Sequence, residues 1–306
     1  MILVTGSTGL TGSAVVREFA RQSRAVRAMV RNPIASDAWH ATPGVQTVLA
    51  DLLVPSSLRA ALAGIDVVVL ISSADEQMAQ AQGNLIDAAV AAGVTRIVKV
   101  SGMGADVASP FRFARAHAQI EQRLGSAAVD WTLLRPSQFM QVYYREVPTM
   151  SASGTIAQPL GSARLAPIDV EDIAKIAYLT ATGEGHGSKV YEMTGPQALT
   201  MTEVCEILTS VVGKPIRYVD ITPAEKRQRL IDSGLPPRFA DDLDTLFRLR
   251  REGGPESRVD VAVFDAFGIR PTSFADFARR SAPIFRGGAT PERLWASGWQ
   301  AAENTV

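Results

Sequence analysis

The chain makes its first turn through "TGSTGLTG", Thr5 to Gly12, directly after the apolar run "MILV". Glycine recurs at every third position, Gly6, Gly9 and Gly12, and a stretch of helical apolar periodicity runs from Leu10 to Gln22. Glycine reaches positive φ and places no side chain between the backbone and whatever lies against it. A helix that starts there aims free N–H groups and the positive end of its dipole at the same spot. Strand, glycine turn and helix in this order predict a loop that cradles phosphate, rather than a tight turn with no ligand. The spacing is G-x-x-G-x-x-G, against the G-x-G-x-x-G of the dinucleotide fingerprint, so the position in the chain carries the inference more than the spacing does.

The same alternation continues downstream. Short, nearly continuous apolar runs, "AVRAMV", "VQTVLA", "DVVVLI", "RIVKVS" and "DWTLLR", are separated by helical stretches at 56–63, 76–92 and 110–124. Apolar strands without in/out alternation belong to sheets covered on both faces. The repeat to residue 135 predicts an α/β fold, a Rossmann-type doubly wound parallel sheet. After Arg135 the rhythm changes. "PIDVEDIAKIAYLTAT" reads as a helix entered through Asp169 and "KVYEMTG" as a strand. "TMTEVCEILTSVVG" reads as a helix capped by Thr200 or Thr202 and stopped by Gly213. "IRYVDI" is a strand, and the remainder to residue 285 is mainly helical. The expected division is a dinucleotide-binding core over 1–135, with 165–195 returning to it, and a smaller mixed α/β, mainly helical lobe over 136–306. That lobe would cover the carboxyl edge of the sheet, with a polar, mobile tail from Ala289.

Composition narrows the function. Lys plus Arg and Asp plus Glu are equal at 31 each, which leaves no broad field for nucleic acid or an anionic membrane. The arginines of "TLFRLRREGG" read as the solvated face of an amphipathic helix. Cys205 stands alone, so no internal disulfide is expected. No apolar run is long enough to span a bilayer and no basic start precedes one, which predicts a cytoplasmic protein acting on a small-molecule substrate. A monomer or homodimer is expected, and the later helices leave room for a protein partner. No His, Cys and Asp set has metal-ligand spacing, so no metal is expected.

The dinucleotide's type is read at the end of the second strand. An acidic residue there would hold ribose hydroxyls and favour NAD. The strand ends instead in Arg31, followed by Asn32 and Pro33. A planar guanidinium suits a 2′-phosphate, so NADP(H) is favoured over NAD(H); the alternative is a solvated surface arginine. At the end of the third strand Asp51 could accept from an adenine amino group or serve as a turn aspartate, and Leu52 lies beside it. After the fourth strand Ser72, Ser73 and Ala74 are small enough to let a cofactor pass, and after the fifth Ser101 lies at the expected nicotinamide end.

"TGSTGLTG", "AMVRNP", "ADLLVPSSLRAALAGIDVVVL", "WTLLRPSQFMQ", "PIDVEDIAKIA" and "YEMTGPQALTMTEVCEILTSVVGKPIRYVDIT" together resemble the NmrA-like atypical short-chain dehydrogenases/reductases, over residues 1–220. That family contains NADPH-dependent quinone, triphenylmethane-dye and isoflavone-type reductases, and also redox-sensing regulators that bind NADP without catalysis. The resemblance implies that Gly6, Ser7, Thr8, Gly9, Leu10 and Thr11 hold phosphate and that Arg31 meets the 2′-phosphate. It further implies that Asp51 and Leu52 meet adenine, that Ser72 to Ala74 line the pyrophosphate and ribose path, and that Pro136, Ser137, Gln138 and Phe139 flank the nicotinamide.

Ordinary short-chain dehydrogenases carry Tyr-x-x-x-Lys on the helix after the fifth strand, where the lysine lowers the phenol's pKa for proton transfer. Here the two positions are Phe113 and His117, followed by Glu121. Phe113 has no proton to give. His117 could hydrogen-bond the nicotinamide ribose, donate a proton, or pair with Glu121 one turn on. Tyr143 and Tyr144 could hold or protonate a substrate, or pack the base of the second lobe. The expectation is an NADPH-dependent oxidoreductase passing hydride to a flat electron-poor acceptor, such as a quinone or a conjugated enone or imine. Its alternative is a non-catalytic NADP(H)-sensing regulator. A nucleotide-sugar epimerase or dehydratase, which normally keeps the tyrosine, ranks third.

Overall fold

The computed structural model describes residues 1–288; the tail from Ala289 lies outside the described residues. The six apolar runs form strands β1 (Ile2–Val4), β2 (Val26–Val30), β3 (Val45–Leu49), β4 (Val67–Leu70), β5 (Arg96–Val100) and β6 (Asp130–Pro136). After β7 (Thr155–Gln158) in the second lobe, β8 (Lys189–Met193) returns and pairs with β6. The sheet runs β3-β2-β1-β4-β5-β6-β8, with every pairing parallel. The strand order reverses between β1 and β4, the point where a doubly wound sheet opens a crevice at its carboxyl ends.

Two helical layers cover the sheet. α1 (Leu10–Arg21) packs on one face, while α2 (Pro55–Leu62), α3 (Met78–Ala91) and α4 (Arg112–Gly125) pack on the other. After α5 (Val147–Ser153), α6 (Val170–Thr182) joins α1. Phe19 of α1 is fully buried and meets Tyr178 of α6 edge-on, with ring centroids 5.0 Å apart. Truncating such a ring costs about 3–5 kcal/mol, so this seam is a principal contact of the core. Strand periodicity sets the direction of each β5 side chain: Val98 and Val100 join the α1 layer and Ile97 the α3–α4 layer, toward which Lys99 also points.

The second lobe begins after Pro136. Its own apolar core gathers the 3-10 segment 140–146, α5, β7 and α7 (Met201–Val212). β9 (Arg217–Asp220) pairs in parallel with β7. Thr200 and Glu203 form a reciprocal capping box at the start of α7, and Gly213, at φ +78°, ends it. The segment "TIAQ" of β7 carries too few residues to announce itself, and it is fixed by its partner β9 and by Ile156, fully buried in the second core.

α8 (Pro223–Asp232) leads to α9 (Pro237–Arg251), which reaches back to the Rossmann half. There Arg112 of α4 holds Asp242 through two nitrogens, and Phe113 meets Phe239 with centroids 5.5 Å apart. α10 (Ala262–Ala266) packs against β8, and α11 (Phe274–Arg280) and α12 (Ala282–Phe285) close the second core. Asp169, fully buried, caps α6 and also accepts from Gln141 (2.7 Å) and Arg280 (2.6 Å), which ties α6 to the lobe.

Candidate active site

The glycine turn divides its three glycines between two tasks. Gly6 sits at φ +58°, and a Cβ there would stand 2.9 Å from the Ile71 carbonyl oxygen. A Cβ on Gly12 would fall 2.1 Å from the Gly6 oxygen. Both glycines are steric conditions for closing the turn. Gly9 differs: its backbone is extended, and a Cβ would meet only the Gly6 oxygen, at 3.3 Å. Gly9 is the N-cap of α1, which has neither a side-chain cap nor an acidic residue in its first turn. α2, α3, α4 and α9 likewise lack a side-chain cap, whereas Asp169, Thr200, Thr222 and Ser273 cap α6, α7, α8 and α11; what sets α1 apart is the bare glycine at its start. The unpaired N–H groups of α1 therefore stand behind a surface with no side chain in front of it, a cradle that fits a pyrophosphate. Thr5 Oγ1 clamps the switch point by donating to Ile71 O (2.6 Å) and accepting from Ile71 N (2.8 Å). Ser7 is buried and spends its hydroxyl on Met29 O (2.7 Å), so it shapes the loop and leaves only its backbone for a ligand. Thr8 and Leu10 lie partly exposed, and Thr11 is buried behind them.

The remaining strand ends line the same edge. Arg31 is exposed at the tip of β2, with no ion pair among the described residues. Asp51 forms an Asx turn, its Oδ1 accepting from Leu53 N at 2.9 Å, the turn role weighed above. The Leu52 side chain is buried in the α2–α3 core, and its carbonyl accepts from Asn84. Ser72, Ser73 and Ala74 are partly exposed, and the Ser72 hydroxyl accepts from Gln82 (2.8 Å).

The wall formed by β5, α4 and β6 departs most from expectation. Glu121 does not hold His117. Its carboxylate accepts from Ser101 Oγ (2.5 Å) and takes a two-nitrogen grip from Arg135, which also faces Glu192 of β8. The i,i+4 spacing is a local relation, whereas the partners come from Ser101, just past β5, and Arg135 of β6. His117 Nδ1 instead meets Lys99 Nζ at 3.0 Å. Burial, and then the Lys99 and Arg135 cations, hold the imidazole well below its ordinary pKa, so it is neutral. Lys99 is fully buried, and its signal in the sequence is a second cation set between the valines of "RIVKV", past the Arg96 that opens the run. Phe113, at the tyrosine position, is buried against Phe111 and Phe239, with the Arg112 guanidinium 4.6 Å over its ring.

Pro136 to Phe139 leave the sheet between two loops. Ser137 Oγ donates to Ala166 O, the Gln138 carbonyl accepts from Ile168 N (2.8 Å), and Phe139 packs on the α1 layer. Tyr143 and Tyr144 follow on the 3-10 segment, and both rings pack into the second core. Tyr143 meets Phe274 edge-on, and its hydroxyl faces Met201 Sδ at 3.8 Å. Tyr144 stacks on Phe277, with its hydroxyl 2.6 Å from Ser281 Oγ. Burial raises both phenols, which makes them poorer proton donors still.

A doubly wound parallel sheet, a glycine turn at its switch point, a mainly helical C-terminal region and no Tyr-x-x-x-Lys pair define an atypical short-chain dehydrogenase/reductase fold. Within that class the chain belongs to the NmrA-like family, which matches residues 1–276. It is 34% identical over 285 residues to the NAD(P)H azoreductase of Xenophilus azovorans, covering 93% of this chain and 99% of that protein. The NADPH-dependent quinone oxidoreductase of Escherichia coli, solved with NADPH, superposes with a TM-score of 0.83 at 31% identity, over 92% of this chain and 99% of the other. A negative transcriptional regulator solved with NAD shares the fold, with a TM-score of 0.77 at 16% identity over 92% of this chain and 95% of the other. Among the described residues no helix is long and apolar enough to cross a membrane.

Proposed function

We propose that this chain is an NADPH-dependent oxidoreductase that delivers hydride to a flat, electron-poor small molecule, such as a quinone or a conjugated enone or imine. One observation carries the reading: a cradle with the geometry for a dinucleotide shares its edge of the sheet with an α4 that offers a neutral imidazole and a buried phenyl ring where an acidic phenol would stand. A simple ketone needs a strong acid at its oxygen as hydride arrives. A quinone or enone spreads the new charge over its own π system and needs less from the protein. The azoreductase and quinone oxidoreductase relatives named above, both full-length matches, support this class of acceptor.

The residues divide the work. The Gly9 cradle and the α1 N–H groups hold pyrophosphate, and Arg31 holds the 2′-phosphate that distinguishes NADPH from NADH. Asp51 Oδ2, the oxygen its turn does not use, stands for adenine. His117 Nε2 faces the nicotinamide-side ribose, and Pro136 to Phe139 flank the ring. When bound, the nicotinamide supplies the hydride, while the protein orients it and excludes water. The lobe that begins after Pro136 supplies the acceptor's side of the cleft. NADPH consumption should be followed against a panel of quinones, enones, imines and azo compounds. Turnover of at least one is expected. Tight NADPH binding with no acceptor consumed would replace this reading with that of a cofactor sensor.

A further inference from the structure

Lys99 is buried without a carboxylate partner, an arrangement that costs free energy which only its hydrogen bonds can offset. Its Nζ has two neighbours, His117 Nδ1 at 3.0 Å and the Val100 carbonyl at 3.4 Å. The charged groups that face it are Glu121 from α4 and Arg135 from β6, and these are bound to each other. β4 brings no titratable side chain, and α3 brings only Asp87, exposed and paired with Arg123. An ammonium donates and cannot accept. Opposite a charged Lys99, Nδ1 must therefore be the acceptor, and the ring proton must sit on Nε2. The Nε2 edge faces Gly102, in the loop after β5, where an added Cβ would stand 3.5 Å from it. No other hydrogen bond to the His117 ring is found among the described residues.

We propose that Lys99 is a positioning residue for the cofactor: its ammonium locks His117 in the Nε2–H tautomer, so that the imidazole offers the nicotinamide end of the cleft a donor. The inference rests on the cofactor placement proposed above, and not on the identity of the acceptor.

A pH dependence follows. Burial, opposed by Glu121 and aided by Arg135, brings Lys99 down to about 7. Below that pH the ammonium is present and the tautomer is locked. As pH rises through it, the group becomes an amine that can also accept, and the lock is released. The imidazole is neutral on both sides of this change, because its own pKa lies lower still.

The full chain labelled with 15N-histidine tests this without cofactor or turnover, the His117 signals being those lost in His117→Gln. At about pH 6 the wild type should show a protonated Nε2 and an accepting Nδ1, with the Nδ1–H form growing in toward about pH 8.5. Lys99→Met should show mixed tautomers at both pH values. It should also bind NADPH about three- to tenfold more weakly at the lower pH. The gap between wild type and variant should close at the higher pH. That gap is the readout, because the 2′-phosphate of NADPH also titrates, near about 6. A wild-type tautomer unchanged in Lys99→Met would overturn the proposal. Should that variant not fold, an Nδ1–H tautomer in the wild type at the lower pH would overturn it equally. A locked tautomer in a protein that reduces nothing would sink the proposed reductase activity and leave this inference standing.

Discussion

The two ends of the proposed cofactor site are built by different means. At the β1–α1 end the backbone is the site: Gly6 and Gly12 let the chain turn, Gly9 leaves its surface bare, and side chains such as Thr5 and Ser7 act only as internal clamps. At the β5–α4–β6 end the side chains are the site. Lys99, Ser101, His117, Glu121 and Arg135 arrive from three elements and constrain one another in pairs. A backbone site tolerates little added volume and does not titrate. A side-chain site can lose a member and keep its shape, yet it responds to pH. Substitutions at the first end should therefore produce large, pH-independent losses of binding, and those at the second end small, pH-dependent ones.

The largest effect should come from Gly9→Val. The native backbone at Gly9 is one that any residue adopts, so folding should survive while a branched side chain fills the cradle. NADPH affinity should fall about a hundredfold or more, roughly 2.7 kcal/mol, with the thermal midpoint near that of the wild type. Gly12→Ala should act through the fold instead: its methyl group would overlap the Gly6 carbonyl, cost about 1–3 kcal/mol of stability and take the cradle's binding with it. Calorimetric titration and thermal denaturation of both variants separate cradle from turn. Normal NADPH binding by Gly9→Val would show that phosphate lies elsewhere.

Arg31 comes next. It is exposed and unpaired among the described residues, so Arg31→Ala should leave stability within about 0.5 kcal/mol. The wild type should favour NADPH over NADH by at least about tenfold, near 1.4 kcal/mol, and the variant should lose most of that margin. Equal affinities of the wild type for the two dinucleotides, read by fluorescence titration, would remove Arg31 from the site.

The contrast also explains what the sequence made legible. The strand runs β1 to β6, the turn between β1 and α1 and the caps of α6 and α7 are set by neighbours within a few residues, so their patterns lie open in the chain. The β5–α4 pairings are set by register across the sheet. Helix spacing offered Glu121 as the partner of His117, but the pleat of β5 sends Lys99 to that imidazole, while Ser101 and Arg135 take the carboxylate. Tyr143 and Tyr144 look free in sequence because nothing local shows that the 3-10 segment carrying them turns both rings into the second core. Phe113 was legible as a missing acid. Its packing against Phe239, brought over by α9, was not.

The smallest effect expected is also the one that separates holding from chemistry. His117 is neutral and backed by a cation, which suits a donor that grips a ribose hydroxyl. If holding is its task, His117→Ala removes one hydrogen bond, and NADPH affinity should fall by about 0.5–1.5 kcal/mol with kcat at saturating cofactor nearly unchanged. If it were the acid, kcat would fall about a hundredfold or more and a limb of the pH profile would vanish with it. Holding is the expected outcome, since an imidazole kept well below its usual pKa carries only one proton to give and parts with it reluctantly as a neutral ring. The variant also strands Lys99 without its partner, so some loss of stability should accompany the loss of affinity. A variant with unchanged NADPH affinity and unchanged turnover would leave the Lys99–His117 contact as packing alone and move the functional weight of this wall to Ser101 and the Glu121–Arg135 pair.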